Sequence, residues 1–231
     1  MERAYILRVK PFRDNQYLVN MLAEDSGHVA AIIRASSRKN SAVSAADLQL
    51  FQSVLVSFKG KQELKRVDYF EPEACSSSLP MEYKLAGFYA NELMLRLVKP
   101  SEIASDVYPS YQQLMQDFQQ NIPLRSCLRY FEYELLDHLG ILPSFSCDAT
   151  NQLINNDAFY LSHVDRQFCL DVNQSNDAYS GGLLQRLEHK NLSSHDWLDA
   201  QRLMRSFLTP VLGEKPLASR ALMRQYQGEG S

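Results

Sequence analysis

Over the first seventy or so residues, apolar positions gather in short runs of strand length; beyond them they recur every three or four residues. The first region predicts five strands, at Ala4–Lys10, Gln16–Ala23, Val29–Ala35, Leu50–Phe58 and Leu64–Phe70. Glu24-Asp25-Ser26-Gly27 reads as a tight hairpin turn in which Gly27 takes positive φ. Ser36–Asp47 is small and polar and reads as a mobile loop. Five short strands without a helical period between them fit a small closed or half-closed barrel.

Past a break at Cys75-Ser76-Ser77-Ser78 the period becomes helical. Pro80 suits a helix start, with Leu85, Phe88, Tyr89, Leu93 and Leu97 along one stripe. Further helices are expected at Asp106–Gln119, Leu124–Leu139 (with Gly140 as its stop), Leu183–His189, His195–Leu208 and Leu217–Gln225. Residues 141–182 are irregular, with short strands expected at Ala158–Leu161 and Gln167–Val172.

Composition adds little at first: 231 residues, 45% hydrophobic, 22% charged, formal charge −3, pI about 6.0. No window approaches the ~20 apolar residues of a membrane-spanning helix. The run Met1–Arg8 becomes charged again too soon for a signal peptide, so a cytoplasmic protein is expected. The distribution of charge says more than its total. Residues 1–66 carry +5, 67–80 carry −3, 81–199 carry −8 and 200–231 carry +3. A basic first segment is thus hidden inside a near-neutral chain.

The sequence contains no Gly-rich phosphate loop, no His-Glu-x-x-His, no Gly-x-Ser-x-Gly and no dinucleotide fingerprint. Non-catalytic function is the expectation. In the basic segment, Arg34, Arg38 and Lys39 border the polar loop, while Lys59, Lys61, Lys65 and Arg66 surround the next turn. Such charges could line one groove that attracts phosphates, or merely solvate loops. Tyr5, Phe12, Tyr17, Phe51 and Phe58 could stack on unpaired bases or fill the barrel. Of the cysteines, Cys147 and Cys169 each begin a knuckle whose second thiolate is missing. Two ligands fall short of the four of a structural zinc site, so no metal is expected and packing must hold the segment.

Three helical motifs carry a resemblance. Tyr89-Ala90-Asn91-Glu92-Leu93, Leu128-Arg129-Tyr130-Phe131-Glu132 through Leu135-Leu136 to Leu139-Gly140, and Leu212-Gly213-Glu214-Lys215-Pro216-Leu217-Ala218-Ser219-Arg220 resemble bacterial DNA-repair and recombination mediators of the RecO family. Glu24-Asp25-Ser26-Gly27 and Lys59-Gly60 also sit where that family has them, and the incomplete knuckles resemble its metal-free gamma-proteobacterial branch. The resemblance implies an α+β protein. An N-terminal five-stranded OB-fold barrel (1–78) would bind DNA, followed by a mainly helical domain (79–231) with a degenerate knuckle-like insertion at about 141–182. It further implies binding of single- and double-stranded DNA, annealing of complementary strands and, with RecR, loading of RecA onto strands coated by single-stranded DNA-binding protein (SSB). No cofactor is implied.

The acidic, hydrophobic SSB tail would need an apolar pocket rimmed by cations, for which Arg125, Arg129, Lys215 and Arg220 are candidates. Arg129 could instead form an exposed ion pair with Glu132. Asn91 and Glu92 suit a structural role, tying helices together. An RNA-binding barrel protein and a protein-interaction adaptor are the competing readings.

Overall fold

The computed structural model describes residues 1–35, 43–73, 78–100, 107–162 and 167–229. They form two compact units, one of residues 1–120 with 214–231 and one of residues 121–213.

The first unit contains strands β1 (Glu2–Arg13), β2 (Gln16–Ala23), β3 (Gly27–Arg34), β4 (Ser53–Lys59) and β5 (Leu64–Pro72). They close into a barrel in the order β1-β2-β3-β5-β4, with β3 and β5 parallel and the other pairs antiparallel. Closure removes the free strand edges that a sheet this small would otherwise expose. The interior is filled by Ala4, Ile6, Val19, Met21, Ala31, Ile33, Val54 and Val56, with Tyr17, Phe58, Val67 and Phe70 packed against them. Gly27 has φ of 68°, as the hairpin between β2 and β3 requires. Residues 36–42 of the expected mobile loop and 74–77 of the expected break lie outside the described residues. The end of that loop is not irregular. Ser44 and Asp47 form a reciprocal capping box around a short 3-10 turn, Ala45–Asp47.

Helices α1 (Met81–Leu97), α2 (Val107–Gln119) and α6 (Ala218–Glu229) complete this unit. Tyr5 of β1 stacks on Tyr108 and Tyr111 of α2, with ring centroids 5.8 and 5.2 Å apart. Between Ile6 and Arg8 the β1–β2 register slips, so Leu7 has no partner residue on β2. Its carbonyl instead accepts a bond from Asn91 Nδ2 of α1 at 2.9 Å. Asn91 Oδ1 in turn accepts from the buried Tyr111 hydroxyl, whose pKa burial pushes far up, so it remains a donor. One amide thus ties α1 to both the barrel and α2.

Two of the sequence motifs meet in this unit. Glu92 of α1 accepts bonds from Ala218 N, Ser219 N and Ser219 Oγ at 3.0, 2.9 and 2.7 Å, capping the start of α6. Arg96, one turn on, pairs with Glu92 and donates to the carbonyls of Lys215 and Pro216. Burial pulls the Glu92 pKa up, but the Ser219 and Ala218 bonds and Arg96 outweigh it, leaving it below the ordinary carboxylate range.

The second unit contains α3 (Leu124–His138), a three-stranded sheet of β6 (Phe159–Ser162), β7 (Phe168–Leu170) and β8 (Tyr179–Ser180), α4 (Gly181–Glu188) and α5 (Trp197–Leu212). Phe145, Phe168 and Phe207 stack edge to face through its core. Helix α5 runs beyond its expected end at Leu208 and takes in Pro210. Placed in the last turn, the proline removes only one intrahelical bond. Among the described residues no group of three His, Cys, Asp or Glu could hold a metal. The knuckle turns are held by more than packing. Asp148 accepts from Thr150 N, Thr150 Oγ1 and Gln152 N, and Asp171 accepts from Asn173 N and Ser175 N. No helix among the described residues is long and apolar enough to cross a membrane.

Candidate nucleic-acid interface

Side chains on registered neighbours share a face of the sheet, so the barrel's outer surface can be read across the strands. One row runs Lys10 (β1), Leu18 (β2), Ile32 (β3), Arg66 (β5) and Lys59 (β4). On one side of it lie Arg13, Gln16 and Arg34; on the other lie Arg8, Asn20, Ala30 and Leu64. Six cations therefore ring a floor of half-buried Leu18, Ala30 and Ile32 and exposed Leu64. The cations Arg8, Lys10, Arg13, Arg34, Lys59 and Arg66 are all exposed, and among the described residues only Lys59 has an ion pair, with Asp68 at 2.8 Å.

Of the sequence-expected contacts, Arg34, Lys59 and Arg66 fall on this surface. Lys61 is exposed in the β4–β5 turn. Lys65 is in register with Ala31 of the barrel core, so it stands on the inner side, and its Nζ donates to the Gly60 carbonyl at 3.0 Å. Arg38 and Lys39 lie outside the described residues. Sequence reasoning missed Arg8, Lys10 and Arg13. The signal that could have found them is strand parity in β1, which the slip at Leu7 shifts by one residue.

The candidate rings separate as cleanly. Tyr5 is buried against α2, Tyr17 and Phe58 pack on the barrel core, and Phe51 stacks on Phe88 of α1 at 5.3 Å. Phe12 stays 44% exposed, with the Arg13 guanidinium 5.3 Å from its centroid.

The four candidates for an SSB-tail rim fall in different units. Lys215 and Arg220 belong to the first, where Lys215 is exposed and Arg220 lies over the Tyr89 ring at 5.9 Å. Arg125 and Arg129 belong to the second. Arg125 is exposed beside Trp197, its guanidinium 5.5 Å from the ring. The ion pair of Arg129 with Glu132 forms at 2.5 Å, but it is buried rather than exposed, with side chains only 10% and 1% accessible. Helix α3 buries Cys127, Phe131, Leu135 and Leu136 together with this pair, a wider stripe than one helical face. The second unit also has an open, largely apolar groove of about 770 Å³, lined by Leu161, Tyr179, Arg202, Arg205, Phe207 and Val211.

Comparison with known proteins decides the family. The N-terminal part of Recombination protein O matches residues 1–74, and its C-terminal part matches residues 82–221. The chain belongs to the RecO family. DNA repair protein RecO of Pseudoalteromonas translucida is 33% identical over 226 residues, covering 97% of each chain. The RecO of Coxiella burnetii is likewise 33% identical over 226 residues, and that of Pseudomonas putida is 31% identical over 228. The α+β architecture that the resemblance implied, a closed five-stranded barrel followed by helices, is the one found. In this RecO-family chain, the Tyr-x-Asn-Glu-Leu and Lys-Pro-Leu-x-Ser-Arg motifs are two halves of one clamp, Glu92 and Arg96 on residues 215–219.

Proposed function

We propose that this protein mediates DNA repair and homologous recombination by binding single- and double-stranded DNA on the barrel's outer face, without covalent catalysis. The observation that carries this is the ring of six cations that β1, β3, β4 and β5 bring into register around an apolar floor. Two DNA strands repel through their phosphates, so a surface that neutralises both lowers the barrier to pairing. Annealing of complementary strands follows from that, and with RecR the protein would help load RecA onto SSB-coated strands.

For the SSB tail, Arg125, Arg129, Lys215 and Arg220 remain the proposed contacts. Exposed Arg125 is the residue to test. Loss of Arg129 would first disturb the buried pair it makes with Glu132. The apolar groove of the second unit also suits a peptide that ends in an aromatic ring and a free carboxylate, with Arg205 as the cation for it, because Arg202 is held by Asp177, Asp199 and the Asn176 and Ala178 carbonyls.

The deciding experiment is strand annealing of SSB-coated complementary oligonucleotides, run with a salt titration of DNA affinity. With about six phosphate contacts the single-strand log–log slope is roughly −4. Lys10→Ala/Arg34→Ala/Arg66→Ala should lower affinity and flatten that slope by about 2. An unchanged slope would remove the outer face from the mechanism. Equal affinity for matched RNA would favour a general single-strand binder over a DNA-specific one.

A further inference from the structure

Strand β1 slips register twice. The second slip lies between Pro11, opposite Tyr17, and Arg13, opposite Gln16, and it leaves Phe12 without a partner on β2. A residue left out of the ladder at a bulge has its side chain re-aimed, and bulges are over-represented at barrel rims and beside active sites. Here the re-aimed side chain is an aromatic ring. It adjoins Arg13, which is in register with Gln16 and through it with Arg34 at the end of the cationic surface, and it keeps 44% of its surface in solvent even with Arg13 over it.

We infer that Phe12 is a stacking platform for an unpaired base and makes the β1–β2 tip the element that distinguishes single-stranded from duplex DNA. The inference rests on the DNA-binding reading of the outer face and adds to it a division of labour. Phosphates answer to Lys10, Arg13, Arg34 and Arg66, whatever the strandedness. A base inside a duplex has both faces occupied by its neighbours, whereas an unpaired base offers a free face to a ring. Tyr69 is a contrasting case on the same barrel. It is also exposed, at 39%, but its hydroxyl donates to Glu71 and its neighbours Asp68 and Glu71 are acidic. A ring among carboxylates repels the phosphates that must accompany any base.

The test measures the affinity of the full-length protein for three probes of equal length: a thymidine oligonucleotide, an abasic strand and a duplex. Phe12→Ala should weaken thymidine-strand binding roughly tenfold, within the range for loss of one base–ring stack, and leave the salt slope unchanged. Abasic and duplex affinities should not move. Phe12→Trp should retain single-strand affinity, and Tyr69→Ala should match the parent on all three probes. The inference is overturned if Phe12→Ala weakens all three probes equally, which would mean a disturbed hairpin. An unchanged affinity for the thymidine strand overturns it too. Failure of the parent protein to bind any probe in a salt-dependent way would instead sink the DNA-binding reading beneath it.

Discussion

The same three strands present two very different surfaces on the outside of the barrel. At one end Tyr5, Leu22 and His28 stand in a register row and are buried. Helix α2 stacks on Tyr5, and His28 Nδ1 donates to the Val98 carbonyl just past α1, at 2.6 Å. At the other end Lys10, Leu18 and Ile32 stand in an equivalent row and remain accessible. The border is the slip at Leu7, where α1 reaches in through Asn91. One end is therefore stabilised by tertiary contacts, while the other keeps apolar and cationic groups exposed with no helix packed on them among the described residues. That contrast gives the open end its functional meaning, and it can be tested from both sides.

The largest effect is expected at the border. Asn91→Ala removes two buried hydrogen bonds, the one its amide donates to the Leu7 carbonyl and the one it accepts from the Tyr111 hydroxyl. Loss of bonds to buried polar groups of this kind costs about 3 kcal/mol in all. A urea titration should show that loss in the midpoint, while the salt slope of DNA affinity in the folded variant stays at the parent value. A changed slope with unchanged stability would mean that the border does not separate the two roles.

A smaller loss is expected from the clamp. Glu92→Gln keeps one acceptor for the α6 start but gives up the charge that faces Arg96, at a cost of about 1–2 kcal/mol. The pH dependence has a definite sign. The folded pKa of Glu92 is lowered, so its contribution is fully present above the unfolded carboxylate value of about 4.3. It is lost as pH falls from there through the folded value. Parent and variant stabilities should therefore converge in acid and differ by a constant amount above about pH 5. Curves that stay parallel down to acid pH would show that charge is not what Glu92 supplies.

How much of this was legible in the sequence depended on whether a feature was local or paired. Strand and helix positions are local, and apart from the short β8 they were found to within a few residues, as were the hairpin turn at Gly27 and the helix stop at Gly140, both at positive φ. Asn91 and Glu92 were read as structural because polar residues on an apolar helical stripe need buried partners, and they have them. What the sequence withheld was parity. The faces taken by Arg8, Lys10 and Arg13 depend on the slips at Leu7 and Phe12, which exist only relative to β2. Attention to loop charges therefore included Lys65, which stands on the inner side, and passed over three cations on β1. The exposure of the Arg129–Glu132 pair was misjudged for a related reason. Spacing of three predicts that it meets Glu132, but whether the pair is exposed depends on what covers α3, and that is not written in α3 itself.

The smallest effect expected concerns a cation whose charge is already answered. Lys59 lies in the open row, yet Asp68 holds it at 2.8 Å, with both side chains largely in solvent. An exposed pair of this kind adds little to stability, so Asp68→Asn should leave the unfolding midpoint within about 0.5 kcal/mol of the parent. It also removes a negative charge from the rim and frees a positive one, so DNA affinity should rise, by about twofold at low salt. The gain should fade as salt is raised, because interactions between exposed charges are screened. The companion change Lys59→Ala should cost less affinity than Lys10→Ala, although both residues share the row, because Lys10 has no acidic partner among the described residues. If the two alanine variants lose equal affinity, the pair with Asp68 opens whenever DNA arrives, and Lys59 counts as a full member of the surface.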